Sequence, residues 1–202
     1  MISINFIMLI ALCGAISSAH PLEKRQDADS WRLYAYGDDI NGLPIFYADG
    51  QAQLGDINLS NATNKFPVTI SFGDSKTTWV AHPENTNTTT PAAFTTGGSV
   101  SPTNLLAIAN TDSITSPVIF TTSNGTSGTD ASAPSNTAGT SAPLTDVWTL
   151  YGNTVILNQT NADFYAQPTG KDGWYILLWG STDQAAVGNT PVTVRTIAPA
   201  SG

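Results

Sequence analysis

"PVTISFGDSKTTWVA", residues 67 to 81, admits two readings that lead to different folds. In one, an apolar strand runs into Gly73-Asp74-Ser75, the turn on which a class of lipases and esterases presents a nucleophilic serine at the end of a parallel, helix-flanked sheet. In the other, two β-branched and aromatic strands meet through a polar turn, Gly73 to Lys76, in an antiparallel hairpin. Near neutral pH a serine hydroxyl needs a base, and the last histidine of the chain is His82, far from the C-terminal position such hydrolases require. Helical periodicity is absent beyond residue 25, where only one Glu and three Lys occur. The hairpin reading follows, and with it an all-β fold.

The same pattern of short β-branched and aromatic runs between Gly, Pro, Asn and Asp clusters recurs along the chain. It predicts strands at 31–36, 44–48, 51–55, 67–72, 77–81, 104–109, 117–122, 146–151, 153–158, 162–167, 173–179 and 191–197. Twelve strands in one domain require sheet packed on sheet, because one open sheet would leave an apolar face in water. The expected architecture is an antiparallel β-sandwich or jelly roll, one domain over residues 26–202. Residues 84–103 and 122–145 are rich in Ser, Thr, Pro and Gly and nearly free of large apolar side chains, so they are expected as mobile loops and as sites suited to O-glycans. An internal echo pairs Trp31-Arg32-Leu33-Tyr34 and Phe46-Tyr47-Ala48 with Trp148-Thr149-Leu150-Tyr151 and Phe164-Tyr165-Ala166, a short repeat compatible with two related halves or with chance.

Residues 1–19 form an apolar run ending in small residues, the pattern of a secretory signal peptide. The next six, 20–25, read as a propeptide closing on Lys24-Arg25, the dibasic pair that kexin-type proteases of the fungal secretory route cut after. Trimming at Gln26 removes Cys13, the only cysteine, so the domain stands without disulfides. It also removes Glu23, Lys24 and Arg25, so acidic residues fall from 15 to 14, basic residues from 7 to 5, and the net charge becomes −9. That charge argues against nucleic acid and anionic membranes as partners. No apolar C-terminal tail marks a membrane anchor. The sequons at Asn58, Asn61, Asn87, Asn124 and Asn158 suit an extracellular glycoprotein and predict an exposed position for each.

Three further chemistries find too few residues here. A start at His20 would pair an N-terminal histidine with His82 as copper ligands in a β-sandwich oxidase, but dibasic trimming removes His20. A glycosidase needs two opposed carboxyl groups; the one mature Glu is Glu84, and Asp38, Asp39, Asp49, Asp56, Asp163 and Asp172 all stand at turn-like positions. "GDDING", 37 to 42, offers too few acidic ligands for a calcium loop. No catalytic residue, metal or cofactor is expected.

The stretch "NGLPIFYADGQAQLGD", 41 to 56, together with "WRLYAYG" before it, "DGWYILLWG" at 172 to 180 and "VTVRTIAP" near the end, resembles a family of small secreted fungal proteins of unknown function that carry an LPIFYADG-type motif. The resemblance covers most of the mature chain and implies export and a one-domain organisation, with no activity or catalytic residue to carry over. What remains is binding. Five tryptophans and six tyrosines can fill a sandwich core or grip sugar rings. Alternation places Trp174, Ile176 and Leu178 on one face of a strand and Tyr175, Leu177 and Trp179 on the other; Trp179 and Tyr36 are the predicted sugar contacts. The expectation is a secreted, glycosylated, non-enzymatic fungal protein of the cell wall or extracellular space that binds wall polysaccharide. The alternatives are an effector or cell-death elicitor touching a host surface component, and a polysaccharide-active glycosidase or copper oxidase.

Overall fold

The computed structural model describes residues 30–84, 95–96, 99–100, 104–110, 115–122, 141–159, 161–181 and 188–200. The predicted signal peptide (1–19), the predicted propeptide (20–25) with His20, Lys24 and Arg25, and the sequons Asn87 and Asn124 lie outside them. The described chain is β1 (Tyr34–Gly37), β2 (Ile40–Ala48), β3 (Gln51–Gly55), a 3-10 turn (Ile57–Leu59), β4 (Lys65–Phe72), β5 (Trp79–Pro83), β6 (Thr95–Thr96), β7 (Ser99–Val100), β8 (Asn104–Asn110), β9 (Thr115–Thr122), β10 (Ser141–Leu144), β11 (Trp148–Tyr151), β12 (Thr154–Leu157), β13 (Ala162–Pro168), β14 (Trp174–Ser181) and β15 (Thr190–Arg195).

The stretch at 67–81 is an antiparallel hairpin. β4 and β5 pair from Phe72 with Trp79 to Val68 with Pro83, and the Gly73 N–H closes the turn on the Thr78 carbonyl at 2.7 Å. All twelve predicted strands are present, with ends shifted by up to four residues. Two stretches expected as loops contain further strands: β6 pairs with β7, and β10 pairs with β8. Composition does not reveal them because ladder hydrogen bonds use only the backbone.

Thirteen strands form one antiparallel network that closes on itself. β2 pairs with β1, β3 and β4. β14 joins β3 to β13, β13 pairs with β15, and β15 returns to β1. A second circuit runs from β2 through β4, β5, β8 and β9 back to β3. The layers of this all-β, sandwich-like body are therefore joined at their edges, which removes most of the unpaired backbone an open sheet would present.

One main core fills the interior. Trp79 and Trp148, 0% and 1% exposed, stack at 5.4 Å between ring centroids, and Trp148 stacks in turn on Phe164 at 6.2 Å. The Trp148 indole N–H donates to the Leu106 carbonyl at 2.7 Å, so its one polar group is satisfied in the interior. The aromatic echo acquires a structural answer here. Both Phe-Tyr-Ala segments lie in strands flanked on both sides, yet in β2 Tyr47 enters the main core while Phe46 leaves it, and in β13 Phe164 enters. The two copies are out of phase by one residue, which in a strand exchanges the faces.

Candidate functional site

The outward-facing Phe46 marks where the site lies. Hairpin β2–β3 turns on Asp49 and Gly50, whose φ angles of 44° and 86° are the two left-handed conformations a two-residue primed turn demands. The Asp49 carboxylate accepts from the Thr63 and Asn64 amides at 2.8 Å each, which straps the segment after the 3-10 turn back over the hairpin. Asp56 caps that turn by accepting from the Asn58 amide at 2.9 Å. On the opposite side, β14 closes on β3 where Gly55 faces Trp174.

Between these elements lies an open groove of about 410 Å³, lined by Gln51, Gln53, Asn61, Thr169, Trp174 and Ile176 among others. Trp174 is only 8% exposed and packs with Phe46 and Ala48 beneath Ile57, Leu59 and Ala62. It is a wall of the groove rather than an open stacking platform. The Lys171 ammonium sits 5.3 Å from the Trp174 ring centroid and donates to the Leu59 carbonyl and to Asn61 Oδ1, both at 3.1 Å. With that ammonium and the Asp49 carboxylate both engaged, the groove offers amides, a hydroxyl and apolar carbon.

A buried polar relay supports the floor. Gln53 Oε1 accepts from Ser60 Oγ at 2.7 Å and from the Trp174 indole N–H at 2.8 Å, while Gln53 itself is 6% exposed. Two donors on one oxygen fix which way the carboxamide points. Gln53 is also part of the groove lining, and with Oε1 taken the group it has left to offer is the Nε2 amide. Thr169 donates its hydroxyl hydrogen to the Trp174 carbonyl at 2.8 Å, which leaves its oxygen lone pairs as acceptors.

The residues chosen from sequence lie elsewhere. Trp179 pairs across the ladder with Phe164, packs against the main core, and donates its indole N–H to the Ala109 carbonyl at 3.1 Å. Tyr36 pairs with exposed Thr193, donates to the Ile197 carbonyl at 2.8 Å, and carries the Arg195 guanidinium 5.4 Å from its ring centroid. Of the sequons, Asn58, Asn61 and Asn158 are all exposed; Asn61 alone of these three lines the groove. Alternation along β14, legible in sequence, sends Trp174 and Ile176 to the groove and Tyr175, Leu177 and Trp179 to the core side. The role of Gln53 carried no sequence signal, and Asn61 was legible as a sequon but not as part of a groove, since both placements depend on contacts made across the fold.

The hydroxyl, imidazole and carboxylate side chains that could suggest catalysis also have structural partners. Ser75 bonds with Thr77 and Thr78 inside its own turn. His82 Nε2 instead meets Ser71 Oγ at 2.8 Å across the β4–β5 hairpin, a pair that strand register creates and linear spacing conceals. This pair lies on an exposed surface outside the groove. Glu84 forms an ion pair with Arg32, and this bond to the carboxylate raises the guanidinium pKa. Asp39 and Asp49 occupy left-handed turn positions. Among the described residues no group of three or more His, Cys, Asp or Glu side chains is placed to hold a metal ion. No protein-family model matches the chain, and no curated protein or solved structure shows significant similarity to it.

Proposed function

We propose that the chain is a secreted, glycosylated, non-enzymatic fungal protein of the cell wall or extracellular space, and that it holds polysaccharide in the groove between the β2–β3 and β13–β14 hairpins. The observation that carries this reading is the lining of the groove: amide and hydroxyl groups and the hydrogen-bonded Asp49 carboxylate set among Trp174, Ile176 and Ala62. That is the mixed polar and apolar surface that sugars, with their hydroxyls and C–H faces, require. The resemblance to small secreted fungal proteins, the exposed sequons and the acidic charge support the extracellular part. Protein trimmed at Gln26 is expected to co-sediment with insoluble chitin or β-glucan, and Ile176→Arg, which thrusts a charged chain into the groove, to release it. Recovery of the unaltered protein in the supernatant with every wall polysaccharide overturns the reading.

A further inference from the structure

We infer that the groove is a subsite for an N-acetylated amino sugar, its carbonyl held by Gln53 and its methyl group set against the apolar wall. This rests on the polysaccharide reading in taking the groove as the binding site, and it names the sugar. Three observations lead there. First, the buried relay from Ser60 and the Trp174 indole to Gln53 Oε1 fixes the carboxamide of a residue that lines the groove, so the donor Gln53 has to offer there is an oriented Nε2. A donor held by its neighbours selects an acceptor at one place rather than a diffuse set of hydroxyls. Second, Ala48, Ala62, Trp174 and Ile176 put apolar carbon in the same lining. Trp174 is too deeply packed to offer a face to a whole pyranose ring, which leaves room for a small apolar group. An acetamido group presents a carbonyl oxygen and a methyl on the same carbon, and an unsubstituted glucose unit presents neither. Third, the charged groups at the groove are held by protein partners: Asp49, in the lining, accepts from two backbone amides, and Lys171 beside it donates to Leu59 and Asn61, so a neutral acetamide, which needs no ion-pair partner, suits the groove better than a uronate or a free amine.

Such a sugar has two sources. It can be a unit of a free chitin-type polymer, or the first N-acetylglucosamine of a glycan on Asn61, whose side chain lines the groove. The Lys171 contact is to Oδ1, which leaves Asn61 Nδ2, the atom that carries an N-glycan, unencumbered by it.

The experiment compares the secreted protein with Thr63→Ala, which abolishes the Asn61 sequon while keeping the Asn61 carboxamide and the backbone N–H that bonds Asp49. Each is titrated with N,N′,N″-triacetylchitotriose and with cellotriose, followed by tryptophan fluorescence and NMR saturation transfer. Thr63→Ala is expected to bind the acetylated trimer about tenfold or more tighter than cellotriose, the scale of one oriented hydrogen bond lost from a built site. The acetyl methyl protons should receive the strongest saturation. Gln53→Glu, which keeps the acceptor for Ser60 and Trp174 but removes the donor, should abolish most of the preference; the saturation pattern stands independently should that variant misfold. Binding to both proteins identifies free polymer as the occupant, and binding to Thr63→Ala alone identifies the chain's own glycan. Equal affinity for the two trimers, or no binding of the acetylated trimer to Thr63→Ala, overturns the inference. If β-glucan still retains the protein in that case, the polysaccharide reading survives; retention on no polysaccharide ends both.

Discussion

At the scale of single residues, burial sets the behaviour of the polar groups. Tyr165 on β13 is buried, and desolvation, with a smaller contribution from the Asp163 carboxylate, raises its phenol pKa above the ordinary 10.0. The folded state thus holds this proton more tightly than the unfolded chain does. Its contribution to stability is whole below pH 10 and is lost as the pH rises through the raised value. Alkaline unfolding monitored by circular dichroism should therefore be shallower for Tyr165→Phe, and tyrosinate absorbance at high pH should lose a late-ionising phenol in the variant. Arg32 and Glu84 present the opposite case. With the Arg32 side chain 55% exposed, water screens the pair, and its worth to stability lies at the low end for an ion pair.

At the scale of elements, the groove exists because two hairpins approach closely, and that approach passes through Gly55. This residue has φ 107°, and a Cβ placed there would run into the carbonyl oxygen of Gly173. Both the backbone angle and the contact exclude a side chain. Gly55→Ala is expected to cost roughly 2–4 kcal/mol, the sum of left-handed backbone strain and a steric clash. Urea denaturation measures the loss, and a variant within experimental error of wild type would show that β3 and β14 can separate freely. The β4–β5 hairpin makes a related point about legibility. Its strands and polar turn can be read from residues 67–81, but the meeting of Ser71 with His82 depends on a register that no linear spacing displays. The Asp-Gly pair at 49–50 is similar, since the turn is legible while the strap from its carboxylate to Thr63 and Asn64 is not.

For the whole molecule, stability rests chiefly on the main core, in which aromatic stacking links β5, β11 and β13. Trp148 sits at the middle of that stack, fully buried and hydrogen-bonded. Trp148→Ala is expected to destabilise the protein by about 3–5 kcal/mol through lost burial and the cavity left behind. That is a large share of the stability of an ordinary domain. Trp148→Phe should recover much of the loss, with the unpaired Leu106 carbonyl accounting for the remainder. Thermal and chemical unfolding of the two variants check this, and a Trp148→Ala protein as stable as wild type would remove the stack from the account. The abundance of aromatics, which from sequence fits a core or a sugar platform equally, goes chiefly to the core: Trp79, Trp148, Tyr47 and Tyr165 are all buried.

Sequence alone determined the class of fold, because period-two alternation and turn-forming residues are local properties that need no knowledge of neighbours. It therefore placed twelve strands and the two faces of β14. Tertiary structure alone decided how those strands close into circuits, that the two Phe-Tyr-Ala segments turn opposite faces inward, and that Gln53, Asn61, Thr169 and Trp174 line one groove. These depend on pairing between strands distant in the chain, where a shift of one residue exchanges inside for outside and the side chains themselves carry no mark of which partner they will meet.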